Sequence, residues 1–377
     1  MSDSPHTGPF DAVPEARRPR AIVFCEANFG AIDGKTANGL VRHSEKYEIL
    51  SVIDSQLAGQ DTGMVLDAEP NGIPLCRDLA DALTHAGATP ELLIVGVAPT
   101  SGLLSTVERT VLLEAMSRGL SIVNGLHEFL NDDPEFAAAA AINGVEIIDV
   151  RRPRAKVDLR MFDGSIRSVS CPRIAVLGTD GAIGKRTTAT ILTKALNERG
   201  VRAVLVGTGQ TSLIQGARHA VALDAVPAQF VTGELEATVV EAFEAEDPDV
   251  IIVEGQGALS HPTYLSSTAI LRGSLPAAVI LQHAPDRKTV SDFPMVTMPT
   301  PASEINLIET FADTKVIGLT INHENMTDSE ISTAIAMYEL ELGIPATDAL
   351  TRPTERLLDM VFAAFPDLDE KSLIAVK

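Results

Sequence analysis

Residues 178 to 190 read GTDGAIGKRTTAT. Gly178, Gly181 and Gly184 precede Lys185, and Arg186, Thr187 and Thr188 follow it. The apolar run RIAVLG leads in and the helix-like ATILTKAL leads out. Strand, glycine-rich loop and helix, in that order, make a phosphate cradle. A helix start exposes unpaired N–H groups and a positive dipole end, glycines let an anion approach them, and a lysine adds a point charge. The standard loop has four residues between its first glycine and Gly-Lys. Here there are five, Thr179, Asp180, Gly181, Ala182 and Ile183. The residue after the lysine, which in a P-loop nucleotidase offers a hydroxyl to magnesium, is Arg186. A guanidinium there removes the magnesium ligand and adds a cation that can grip phosphate in a bidentate way. The loop reads as built to hold a polyphosphate, and less clearly built to split one.

Other strand ends carry reactive groups. DVIIVEGQGALSHP, residues 249–262, is an apolar run ending in Glu254. An acid at a strand's carboxyl end faces the ligand crevice of an open α/β sheet, where it can take a proton or orient a metal. Gln256 lies between two glycines that allow close backbone approach. His261 follows seven residues after Glu254, and His283 ends the run AAVILQH. Glu254, His261 and His283 are the candidate general bases. Arg287 is a candidate for binding a substrate carboxylate. GTGQTSLIQG, residues 207–216, supplies Gln210 and Thr211 to a substrate loop. FGAIDGKTANG, residues 29–39, also contains Gly-Lys-Thr, but only three residues separate Gly30 from Gly34. It reads either as a plain turn opening the first helix, or as placing Lys35 and Thr36 in an interdomain cleft against an anionic substrate.

These residues need a scaffold of strands with helical connections, and the sequence supplies two series of them. AIVFC, YEILSVI, ELLIVGV and LSIVN alternate with helical stretches over 21–150. RIAVLG, RAVLVG, DVIIVEG, AAVILQH and KVIGLTIN do the same over 172–377. Such alternation predicts βαβ units and parallel sheets. The basic stretch at 151–171, with Asp163-Gly164 between two alternating runs, predicts a linker with a small β-hairpin. Residues 1–20 lack an apolar signal core and are expected to be a disordered leader.

Composition narrows the function classes. The net charge is −21, and 9 of the 30 basic residues are lysine. An acidic, lysine-poor chain argues against nucleic acid or an anionic membrane as partner. Three scattered cysteines match no metal spacing and suit a reducing, cytoplasmic interior. No metal is expected from the side chains alone. The first strand ends in CEANFG, without G-x-G-x-x-G, which excludes an ordinary Rossmann dehydrogenase.

FGAIDGKTANGLVRHS, VIDSQLAGQD, GVAPTSG, GLSIVNGLHEFLNDDPE, DVRRP, GTDGAIGKRTT, GTGQTS, EGQGALSHP and LQHAPDRK occur in that order. In these stretches the chain, beyond residue 20, resembles a bacterial and archaeal family catalogued as domain of unknown function 1611. The five-residue loop itself resembles that of dethiobiotin synthetase. The family resemblance implies an N-terminal Rossmann-like parallel-sheet domain joined to a C-terminal P-loop NTPase-like α/β domain. Some members look like D-glutamate N-acetyltransferases that use acetyl-CoA and work with an enolase-superfamily racemase. By position, Gly184, Lys185, Arg186 and Thr187 would then hold the pyrophosphate or 3′-phosphate of CoA.

The leading expectation is an N-acyltransferase moving acetyl from acetyl-CoA to the amino group of an acidic amino acid, in a homo-oligomer. The alternative is an ATP-dependent ligase or kinase, with magnesium and Glu254 as its acid. A sensor that binds without turnover is the third reading.

Overall fold

The computed structural model describes residues 17–99, 101–291 and 293–375. The first sheet holds β1 (Arg20–Phe24), β2 (Glu48–Ile53), β3 (Leu75–Cys76), β4 (Leu92–Val95), β5 (Ser121–Asn124) and β6 (Ile147–Asp149). They are all parallel, in the order β3-β2-β1-β4-β5-β6. This is the doubly wound Rossmann order, and its strand order reverses between β1 and β4. Its helices are α1 (Lys35–Arg42), α2 (Thr62–Asp67), α3 (Leu79–His85), α4 (Thr106–Ser117) and α5 (Pro134–Asn143). Ser105 and Glu108 cap α4 reciprocally. Of the expected leader, residues 1–16 lie outside the described residues. Arg17 pairs with Glu91 at 2.8 Å, and Arg20 already belongs to β1.

The second sheet holds β7 (Arg173–Gly178), β8 (Ala203–Gly207), β9 (His219–Ala220), β10 (Val250–Glu254) and β11 (Ala278–His283). Beyond the short antiparallel pair β12 (Thr289–Val290) and β13 (Phe293–Thr297) come β14 (Lys315–Ile321) and β15 (Ala346–Thr347). The order is β15-β14-β11-β7-β10-β8-β9. Every neighbouring pair of this sheet is parallel. The phosphate loop therefore leaves the central strand, with Glu254 ending one neighbour and His283 the other.

Eight helices follow: α6 (Lys185–Glu198), α7 (Gln210–Gln215), α8 (Val231–Glu246), α9 (Ser266–Ser274), α10 (Pro301–Phe311), α11 (Asp328–Leu342), α12 (Glu355–Ala364) and α13 (Pro366–Ala375). Period-two alternation splits β7 between them. Ile174 and Val176 pack on Leu192, Leu196, Leu357 and Val361 of α6 and α12. Ala175 and Leu177 face the other core, with Leu235, Val239, Ile270 and Ile308. With both faces covered, β10 and β11 are buried along their whole length.

The hairpin expected within 151–171 does not form. Gly164 turns at φ +88 into a short 3-10 segment, Ser165–Ser168. The reason is local electrostatics. Glu236, nearly fully buried on α8, accepts the amides of Asp163 at 2.8 Å and Ile166 at 3.1 Å. Glu234 accepts the Arg160 amide at 2.7 Å and its guanidinium at 3.1 Å. Backbone donors that a hairpin would pair strand to strand are consumed by side-chain carboxylates.

Candidate functional site at the domain seam

The phosphate loop is fixed from behind. Thr179 is fully buried, its amide donating to the Gln282 carbonyl at 3.0 Å and its hydroxyl 2.9 Å from His283 Nδ1. Asp180 is equally buried and meets the Ser291 amide at 3.0 Å and Arg287 Nη1 at 3.1 Å. Gly181 donates its amide to Asp180 Oδ1 at 2.7 Å. Gly184 starts α6 at φ +100, a conformation glycine tolerates, and no side chain caps the helix. The first amides of α6 thus stay open to a ligand.

Lys185 is buried, and its ammonium donates to the Asp180 carbonyl. Burial brings its pKa down to about 8. The Thr188 hydroxyl is committed to Gln282 Oε1 at 2.7 Å, whereas Thr187 is half-buried. Arg186 donates through Nε to Gln215 Oε1 at 2.9 Å. Its Nη1 is buried and has no hydrogen-bond partner among the described residues. Burial lowers its pKa, against the pull of Glu254 and Glu45. A buried donor left unpaired costs about 1–3 kcal/mol, which an anionic oxygen would recover.

Glu254 closes β10 with one oxygen engaged. Its Oε2 accepts from the Thr208 amide at 3.0 Å and from the Ser212 hydroxyl. Its Oε1 makes no hydrogen bond among the described residues. The carboxylate attracts both Lys185 and Arg186 electrostatically. Gln256 crosses to the Thr208 carbonyl at 2.6 Å, so Glu254 and Gln256 together fix the 207–212 loop. Gln210 and Thr211 open α7 from that loop.

The Rossmann-like half forms the opposite wall. Helix α1 packs on α7, bringing the Thr36 hydroxyl 3.4 Å from that of Thr211. Lys35 is exposed at the start of α1 and repels charge on both Lys185 and His127. Ile214 of α7 is buried in the core of the first half, and the Gln215 carbonyl accepts the Glu45 and Lys46 amides at 2.9 and 3.2 Å. Arg151 bolts the same seam: it ion-pairs with Asp224, donates to the Gly125 carbonyl at 2.6 Å and meets His127 Nε2 at 2.9 Å.

Three expected site residues are engaged by partners within the protein. His283 lies behind the loop, edge-on to Tyr338 at 5.6 Å, and burial lowers its pKa to about 4. His261 stacks on Tyr264 at 4.3 Å, and its Nδ1 accepts the amides of Thr263 and Tyr264 at 3.2 and 3.1 Å. With Nδ1 so used, the ring carries its proton on Nε2 and is a donor. Arg287 has both carboxylates it needs, Asp180 and Glu324, inside the protein. Gln215, Ser212 and Arg151 were absent from the expected set. The first two lie in the GTGQTSLIQG stretch, but nothing local marks them as partners of Arg186 and Glu254.

Residues 160–358 match the family described as domain of unknown function DUF1611_C, P-loop domain. Residues 55–153 match its N-terminal part, described as DUF1611_N, Rossmann-like domain. The chain belongs to this family. A crystal structure of a DUF1611 family protein from Anabaena variabilis superposes with a TM-score of 0.84 at 32% identity, covering 92% of this chain and 100% of that one. A D-glutamate N-acetyltransferase of Tritonibacter scottomollicae is 32% identical over 74% of this chain and 82% of its own length. A D-glutamate N-acetyltransferase of a Pseudoalteromonas species is 28% identical over 68% and 77%. The two domains inferred from strand alternation are the two domains of the family. Among the described residues, no helix is long and apolar enough to cross a membrane.

Proposed function

We propose that this protein is an N-acetyltransferase that acetylates the amino group of D-glutamate or a similar acidic amino acid, with acetyl-CoA as donor. The names of the two relatives support the reaction class. The observation that carries the donor is the buried Nη1 of Arg186, without a partner among the described residues, in a helix start that no side chain caps. That donor set suits the pyrophosphate or 3′-phosphate of CoA. Gly184, Lys185, Arg186 and Thr187 would hold it, and bound acetyl-CoA supplies an activated thioester. Lys185 exchanges the Asp180 carbonyl for a phosphate oxygen.

The acceptor enters the seam between α1 and α7. Lys35 attracts its carboxylates, with Thr36, Thr211, Gln210 and Gln256 as polar neighbours. Glu254 takes the proton from its ammonium through Oε1, while Oε2 stays anchored on Thr208 and Ser212. Amides of the glycine loops stabilise negative charge developing on the carbonyl oxygen. Arg186, standing where a nucleotidase has its magnesium hydroxyl, favours a held phosphate carrier over cleaved ATP. The test is thiol release from acetyl-CoA with D- and L-glutamate. Absence of thiol release with every acidic amino acid, together with magnesium-dependent ATP turnover, would reject the proposal in favour of a ligase or kinase.

A further inference from the structure

Arg287 makes five hydrogen bonds from a side chain that is only 9% exposed. Its Nη1 reaches Asp180 Oδ2 at 3.1 Å and the Gly181 carbonyl at 3.0 Å. Its Nη2 reaches the Ala182 carbonyl at 3.0 Å and Glu324 at 2.8 Å, and Nε returns to Glu324 at 3.1 Å. Two successive carbonyls of the phosphate loop are thus drawn toward one guanidinium. In a trans peptide the C=O and the next N–H point in opposite directions. The amides of Ala182 and Ile183 must therefore face away from Arg287. Neither donates a hydrogen bond among the described residues. Ala182 also holds φ +47, a left-handed value that a residue with a Cβ adopts only when its surroundings impose it. Asp180 completes the brace: the Oδ2 that accepts from Arg287 also accepts the Ser291 amide at 3.0 Å.

We infer that Arg287 is the positioning residue of the anion site: it turns the peptides at 181–183 so that their amides, with Arg186 Nη1, form one concave set of donors. It does so without touching the ligand, by holding the carbonyls that would otherwise face an incoming phosphate and repel it. A lysine cannot replace it, because one ammonium cannot reach two carbonyls and two carboxylates in a fixed fork. The inference rests on the loop being an anion site, and only the choice of acetyl-CoA as ligand rests on the proposed function.

The experiment compares wild type with Arg287→Ala, Arg287→Lys and Glu324→Gln, the last removing only the outer anchor. Inorganic pyrophosphate binding is measured by calorimetry, and acetyl-CoA and D-glutamate KM by thiol release. The expected result is a tenfold or greater loss of pyrophosphate affinity in R287A and R287K, and a several-fold loss in E324Q. Acetyl-CoA KM rises in parallel while D-glutamate KM changes less than twofold. Guanidinium ion at tens of millimolar restores part of the R287A loss, which general unfolding would not allow. Unchanged pyrophosphate affinity in the two Arg287 variants, or in E324Q should they fail to fold, overturns the inference. If wild type binds pyrophosphate but never releases thiol, the acetyltransferase reading fails while the positioning role is still decided by the affinities.

Discussion

Arg186 of the phosphate loop and Gln215 of α7 share a hydrogen bond of 2.9 Å, and the Gln215 main chain in turn holds the 45–46 turn of the other domain. The cation expected to grip the donor is therefore set by a residue on the domain seam. Gln215 thus touches the loop cation with its side chain and the other domain with its carbonyl.

Replacing Arg186 tests the grip. Arg186→Ala removes a charge-assisted bond worth roughly 1.5–3 kcal/mol, so acetyl-CoA KM rises about 10- to 100-fold. D-glutamate KM changes little. Steady-state kinetics with each substrate varied in turn separates the two.

Gly39 of α1 offers a test at a distance. A Cβ there would stand 2.8 Å from Gln215 Nε2 and 3.4 Å from Thr211 Cγ2. The first neighbour is the end of a flexible side chain, so Gln215 swings aside and loosens Arg186. Gly39→Ala is expected to raise acetyl-CoA KM several-fold while leaving the melting temperature level or higher, because alanine favours the helix by about 1 kcal/mol. A lower melting temperature with unchanged KM would count against the link.

Glu254→Gln keeps an acceptor for Thr208 and Ser212 but cannot take a proton. The expected loss in kcat is roughly 10²- to 10⁴-fold with near-native melting. Equivalent activity in the variant would move the base elsewhere.

Burial lowers the Lys185 pKa to about 8. Its charge, and with it the affinity for a phosphate-bearing donor, declines as pH rises through that value. Acetyl-CoA KM is expected to climb between pH 8 and 9.5, and Lys185→Arg, which stays charged, should flatten the rise.

His283 gives a stability prediction of opposite sense. Its pKa is lowered to about 4 in the fold against 6.5 for the free side chain. Its contribution is complete above pH 6.5 and falls as the unfolded chain takes up the proton first. The loss is roughly 2 kcal/mol between pH 7 and 5. Melting curves of wild type and His283→Gln across this range should converge on the acid side.

The position of much of the candidate site is legible in the sequence, and for one reason. In a parallel sheet, apolar runs identify strands and the residues just past them face the crevice. That rule located the loop at Gly178 and the acid at Glu254. It equally located His261, His283 and Arg287, which follow strand ends but are held by Tyr264, Thr179 and Asp180 respectively. Proximity to a strand end sets a residue's position, while its direction depends on neighbours far away in the chain.

The sequence alone determined the order strand, loop, helix around Lys185, the two α/β domains, and the replacement of a magnesium hydroxyl by Arg186, because these are properties of neighbouring residues. Only the tertiary structure decided which cations are spent and which are available. Arg287 is consumed by carbonyls 105 and 106 positions away, Arg151 by Asp224 73 positions away, and Arg186 keeps a nitrogen that no partner reaches among the described residues. Hydrogen-bond satisfaction of a buried charge is settled by packing, and packing is not written in any local stretch of the chain.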